Sequence, residues 1–142
     1  MNHKRGFLAF LAAFVFIFFF GYFWHGVLMK PDYMATSALW RPETDFHSHF
    51  GILILGHAII AFAFTGLYVS KVGVNCPGTG FGYGIVIGIL GCGINTIRFA
   101  VEPLTAKMFW MWTAADLICF AIMGAIVGAI YKPLTSTAAS TT

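Results

Sequence analysis

Four apolar stretches alternate with short polar or turn-rich links along this chain. Residues 7–29 carry Phe7, Phe10, Phe14, Phe16, Phe18, Phe19, Phe20 and Phe23 behind the basic pair Lys4 and Arg5. Residues 46–69 follow a loop, 30–45, that holds Lys30, Pro31, Asp32, Arg41, Pro42, Glu43 and Asp45. Residues 81–102 follow a connection broken by Asn75, Pro77, Gly78 and Gly80, and Pro103 separates them from the last stretch, 108–131. About 20 consecutive apolar residues suffice to cross a bilayer as a helix, so each stretch is predicted to be a membrane span. The first is too long for the apolar region of a signal peptide. Gly21-Tyr22-Phe23-Trp24-His25 also lacks a small-x-small cleavage pattern, so this span is expected to be retained. The expected fold class is all-α, an integral-membrane four-helix bundle in one domain, residues 1–134. The polar tail, 135–142, has nothing to bury and is expected to be disordered unless a partner holds it.

The third stretch is patterned along one face. Steps of four and three residues connect Gly84, Gly88, Gly91, Asn95, Arg98 and Glu102, the spacing of a left-handed helix seam. Its lower half is glycine, which lets a neighbouring backbone approach closely, and Gly124 and Gly128 offer the same spacing in the fourth span. Close packing of spans three and four through Gly84, Gly88, Gly91, Gly124 and Gly128 is therefore expected.

Composition removes the soluble alternative. The chain of 142 residues is 59% hydrophobic and 9% charged, against about 25% charged in soluble domains. Its net charge of +3 comes from eight basic residues scattered along the sequence, which make no nucleic-acid patch. Cys76, Cys92 and Cys119 lack CxxC spacing and give neither a disulfide framework nor a zinc ribbon. Cys92 and Cys119 fall inside apolar runs and read as packing residues.

An even number of spans places both termini on one side, with Lys4, Arg5, Lys71 and Lys132. Lys30, Arg41 and Lys107 lie opposite. The lead of Lys4 and Arg5 before the first span predicts that both termini are cytoplasmic. Trp24 and Trp40 bracket the first outer loop, as an aromatic belt would. His25, His47, His49, Arg98 and Glu102 then lie towards the outer boundary. His57, Asn95 and Asp116 lie about ten residues, or ~15 Å, inside it, near the middle of a ~30 Å core.

Depth decides which of these polar groups matter. An unpaired carboxylate at mid-bilayer costs several kcal/mol, so Asp116 is expected to face the bundle, towards Asn95, His57 or Arg98. Arg98 is expected to serve Asp116 before Glu102, its own i+4 neighbour. His57, Asn95, Arg98, Glu102 and Asp116 thus form a candidate buried polar cluster, either a clamp that sets helix register or the proton-handling pair of a small carrier. A haem at His57 would need a second histidine at matching depth on a facing helix, and the sequence offers none. Asp45, His47 and His49, with His25, Met29 and Met34 from the same side, carry nitrogen, oxygen and thioether donors suited to copper or zinc. That reading requires an extended chain at 45–49, because histidines two apart diverge on a helix.

Several strings occur together: His25-Gly26-Val27-Leu28-Met29-Lys30, then Tyr33, then Leu39-Trp40-Arg41-Pro42-Glu43, and Gly128-Ala129-Ile130-Tyr131-Lys132-Pro133 closing the last span. The pattern resembles small four-helix bacterial inner-membrane proteins of unknown function. The resemblance implies the fold and an inner-membrane, multi-pass location. It carries no activity, and neither His47 and His49 nor Asp116 belongs to its strings.

No GxSxG, phosphate loop or CxxC is present, so neither catalytic residues nor a cofactor are expected; the alternative is copper or zinc at the outer face. The expected role is a non-catalytic accessory or assembly subunit of a larger membrane complex. A small proton-coupled carrier and a metal-binding protein are the alternatives. The expected partners are the lipid bilayer and either other membrane subunits or further copies of the chain, with no nucleic acid.

Overall fold

The computed structural model describes residues 2–133, so the expectation for 135–142 lies outside it. All regular structure among the described residues is helical: α1 (His3–Leu28), α2 (Lys30–Ala35), α3 (Glu43–Val72), α4 (Pro77–Val101) and α5 (Ala106–Ile130). All but α2 are long and apolar enough to cross a membrane. They begin earlier than polarity alone suggests because caps and prolines, rather than the first apolar residue, start them. Asn2 accepts a bond from the Arg5 N–H and Thr105 one from the Met108 N–H, each at 3.2 Å. Pro77 occupies the first turn of α4, where a missing N–H is harmless. Pro103 holds Glu102 extended (φ −104°, ψ 143°) and so ends α4. Gly73, in the left-handed region at φ 64°, ends α3 by returning its N–H to the Tyr68 carbonyl at 2.8 Å.

The α4–α5 hairpin is built backbone against backbone. A Cβ placed on Gly80 would collide with the Gly124 carbonyl, and one on Gly84 with the Phe120 carbonyl. Gly124 in turn has no room beside the Gly80 carbonyl. Between helices long and apolar enough to span a membrane, where apolar side chains would gain little by associating, such close backbone contact is the characteristic packing. The link between α3 and α4 locks the hairpin at its open end, where α4 begins and α5 finishes. Asn75 Nδ2 donates to the carbonyls of Gly128, Ala129 and Tyr131 at 3.1, 3.0 and 2.8 Å, satisfying the last turn of α5.

The remaining helices assemble on that pair. Ala9, Ala13 and Ile17, four residues apart, are the buried face of α1 and share a core with Cys119, Met123 and Val127 of α5. α3 joins near the end of the bundle where α1 starts, called the base below. There Phe64 stacks on Phe120 (centroids 5.8 Å apart), and the Tyr83 hydroxyl donates to the Phe64 carbonyl at 2.9 Å. From Glu43 to Ile60, however, α3 has no buried residue, and it leans on α1 through Phe18, whose ring meets Phe50 and His57. The bundle is closed at its base and open between α3 and the α4–α5 pair at the other end, the cap.

The segment 30–45 is more ordered than the expected loop. Pro31 and Asp32 start α2, the Thr36 hydroxyl donates to the Asp32 carbonyl at 2.8 Å, and a 3-10 turn covers Ser37–Leu39. Met29, Tyr33, Thr36 and Trp40 recur at helical spacing, which is why this segment folds down on the bundle instead of projecting from it.

The glycine seam makes a contrast that can be measured. Gly84→Val should destabilise the protein by about 3 kcal/mol through overpacking, read as thermal unfolding in detergent. Gly82→Val, whose Cβ would meet nothing within 4 Å, should leave the melting temperature unchanged or raise it.

Candidate functional site

Two polar arrangements occur, one at mid-depth and one at the cap. At mid-depth, α4 and α5 bring Asn95 to Asp116, and the Asn95 amide donates to Asp116 Oδ2 at 2.8 Å. Asn95 is buried, at 7% exposure. The Asp116 carboxyl lies in the notch left by Gly91, where a Cβ would stand 2.6 Å from Oδ2. Gly91 therefore serves less to bring the helices together than to admit the carboxyl. One turn towards the base, Phe120 meets Phe64 of α3, so Asp116 stands just above the aromatic floor on which α3 closes.

Arg98 does not reach down to Asp116. Its Nε and Nη2 donate to Glu102 Oε1 and Oε2, each at 2.8 Å, in a bidentate pair. The same guanidinium lies 4.4 Å above the Trp112 ring centroid. The expected order is thus reversed, for a geometric reason. Glu102, just beyond the helix end, offers both oxygens to a planar fork, while Asp116 is already met by Asn95. Arg98 and Glu102 are also half-exposed rather than buried, with side chains at 40% and 37% exposure. Arg98 holds the Glu102 carboxyl below its usual range through these hydrogen bonds.

His57 is not part of the cluster. Its Nδ1–H donates to the Leu53 carbonyl at 2.8 Å, and its Nε2 faces Gly21 of α1, where a Cβ would stand 3.1 Å away. His57 thus bonds within α3 and faces α1, and among the described residues no hydrogen bond joins it to Asp116. The proposed metal donors are likewise dispersed. α3 is helical from Glu43, so His47 and His49 point apart. His49 folds back on the Asp45 carbonyl at 2.9 Å, Asp45 pairs with Arg41 at 2.7 Å, and His25 turns to Tyr33. Among the described residues, no three His, Cys, Asp or Glu side chains are placed to hold a metal ion.

The cap arrangement centres on Tyr33, which the site reading from sequence passed over. Trp112 Nε1–H donates to the Tyr33 oxygen at 2.9 Å, and the hydroxyl stands 2.7 Å from His25 Nδ1. The Met29 sulfur lies 3.9 Å from the same hydroxyl, a second acceptor for its proton beside His25 Nδ1. Burial pushes the Tyr33 phenol up, and the bond from Trp112 partly offsets this. Trp40 meets Tyr33 edge-on (centroids 5.2 Å) and donates to the Thr36 hydroxyl at 2.9 Å. Lys107 at the start of α5 pairs with Asp32 of α2 at 2.7 Å. These contacts seal fully buried Met29 and Met108 beneath α2. Trp24 and Trp40 are therefore not free interfacial anchors: Trp24 stacks on Phe20 (centroids 5.4 Å) and its N–H has no partner. The spacing of Met29, Tyr33, Thr36 and Trp40 is the signal that could have found this site.

No family model, curated protein or solved structure matches the chain.

Two outcomes test the cap. Tyr33→Phe strands the Trp112 N–H and should cost about 1–3 kcal/mol, seen as a lower melting temperature and altered tryptophan emission. Glu102 has a depressed folded-state value, so its contribution is full above its usual 4.5 and is lost as pH falls through the folded value. Wild-type emission from Trp112 should therefore change on acidification below about pH 4.5, and Glu102→Gln should remove that step.

Proposed function

We propose that this chain is a non-catalytic accessory or assembly subunit of a larger membrane complex, and that the outer half of α3 is where a partner helix seats. The observation that carries the proposal is the unburied run of α3 from Glu43 to Ile60. A helix that buries residues only at its base, and above it leans on α1 through Phe18 and Gly21, is held weakly by its own chain. This one exposes Phe50, Leu53 and Ile60 together with the bare backbone of Gly51, where a Cβ would meet nothing within 4 Å. Small residues and open backbone are what transmembrane helices use to approach one another. The polar residues, by contrast, are spent internally: Asn95 on Asp116, Arg98 on Glu102, and Tyr33 on Trp112 and His25. Such closure suits a scaffold better than a turnover site.

A bacterial inner-membrane location with both termini cytoplasmic belongs to the same proposal, supported by the basic residues at the base. The carrier alternative has less support. His57 and Asp116 lie on different helix pairs, His57 against Gly21 of α1 and Asp116 against Asn95 and Gly91 of α4.

Extraction in mild detergent should yield a species larger than the monomer. A photo-crosslinking residue at Leu53 should capture a partner helix, while one at Val86 of α4 should capture chiefly lipid. A chain that runs alone and crosslinks only to lipid at Leu53 contradicts the proposal. Asp116→Asn keeps an acceptor for Asn95 and should change stability by less than about 1 kcal/mol. Proton-coupled uptake abolished by that variant would favour the carrier instead.

A further inference from the structure

We propose that the cap binds one copper(I) ion, with His25 Nδ1 and the sulfurs of Met29 and Met108 as its donors. The site is separate from the seat for a partner helix on α3 and does not rest on it. His25, Met29 and Tyr33 recur at steps of four where α1 runs into α2, which places them on one side of the chain. His25 Nδ1 stands 2.7 Å from the Tyr33 hydroxyl, and Met29 Sδ stands 3.9 Å from it. Three residues further along, the Thr36 hydroxyl stands 3.7 Å from Met108 Sδ of α5. Residues three apart are neighbours on a helix surface. The imidazole nitrogen and both sulfurs therefore border one short stretch of α2, two of them on the same hydroxyl.

The donors identify the ion. Met29 and Met108 are both 0% exposed and lie in one cluster with Leu104 and Trp112. A methionine that only fills a gap needs apolar neighbours, yet each of these sulfurs meets a hydroxyl. Thioethers are soft, polarisable donors and select copper(I), with imidazole an accepted companion. A hard or divalent cation would want oxygen ligands and a counter-charge. The nearby carboxylates are already paired, Asp32 with Lys107 and Glu102 with Arg98. A neutral donor set suits an ion of single charge. Two of the three donors are thioethers, so histidines, cysteines and carboxylates alone make no such group among the described residues. Trp24 and Trp40 pack against the cluster and keep water from it. Entry of the ion costs one contact, that of His25 with Tyr33. The Tyr33 oxygen keeps the Trp112 N–H at 2.9 Å, so Trp112 emission reports occupancy.

Titration of the full chain in detergent with copper(I), against the chelator bicinchoninate, tests the site. The wild type should take up one copper(I) per chain, with a change in tryptophan emission and sulfur scattering in its X-ray absorption spectrum. Silver(I) should compete for the site and zinc(II) should not. Met29→Leu and Met108→Leu conserve volume and should leave the thermal transition in place. Each, like His25→Gln, should weaken copper(I) binding by about tenfold or more. Met34→Leu removes a thioether that is 68% exposed on α2 and should change nothing. A wild type that takes up no copper(I) overturns the proposal. So does undiminished binding by a folded Met29→Leu, Met108→Leu double variant, or binding that is lost when His47 and His49 are replaced by glutamine.

Discussion

The absence of side chains between the base halves of α4 and α5 is the constraint on which the rest of the molecule depends. With Gly80 and Gly84 pressed on the carbonyls of Gly124 and Phe120, the two backbones cannot slide without collision. Register is therefore set at the base and carried upward along a rigid pair. It delivers Asn95 to Asp116 within hydrogen-bond distance and leaves Gly91 as the notch for the carboxyl. A buried polar pair of this kind adds little net stability, but a slip of one turn would leave a carboxylate facing hydrocarbon. Sterics and polarity thus enforce the same alignment, each penalising the alternative the other leaves open.

The cap and the base differ in kind. At the cap, helix ends and α2 are tied by a chain of donors and acceptors, Trp112 to Tyr33 to His25, roofed by Trp40 and flanked by the Arg98–Glu102 pair. Half-exposed ion pairs of this sort contribute little to stability because solvent screens them. The buried methionines and tryptophans beneath them carry more of the energy. At the base, closure is aromatic and the charges outside it are left unopposed. The asymmetry runs through the molecule: a neutralised, self-sealed cap and a base left positively charged.

Much of the fold was legible because long apolar stretches simplify the code. Four stretches of membrane-spanning length and apolarity are expected to be helices, the form that satisfies its own backbone groups, and the structure makes all four helical. Glycines at steps of four must mark close approach, and the structure places Gly84, Gly88, Gly124 and Gly128 on one seam. Asp116 was traceable because its burial cost demands a partner, though the partner is Asn95 and not Arg98. What escaped sequence reasoning depended on where helices diverge. His57 shares its depth with Asp116, but nothing in its neighbourhood reveals that α3 leaves the bundle above Ala61. His47 and His49 read as a metal pair only while the start of α3 was taken as extended, and α3 winds from Glu43. Tyr33 was hidden inside a segment whose prolines and charges read as loop, even though its spacing from Met29, Thr36 and Trp40 is helical.

The α4–α5 pair packs backbone against backbone, and we propose that α3 is left free to be completed by another helix. Spin-label distances in a cysteine-replaced background measure this directly, with one label pair at Ser48 and Thr96 across α3 and α4, and another at Thr96 and Trp110 across α4 and α5. In the isolated chain the α4–α5 distribution should be narrow and the α3–α4 distribution broad, and the latter should sharpen in native membranes. An α3–α4 distribution that is already narrow in the isolated chain, and unchanged in the membrane, would contradict the account.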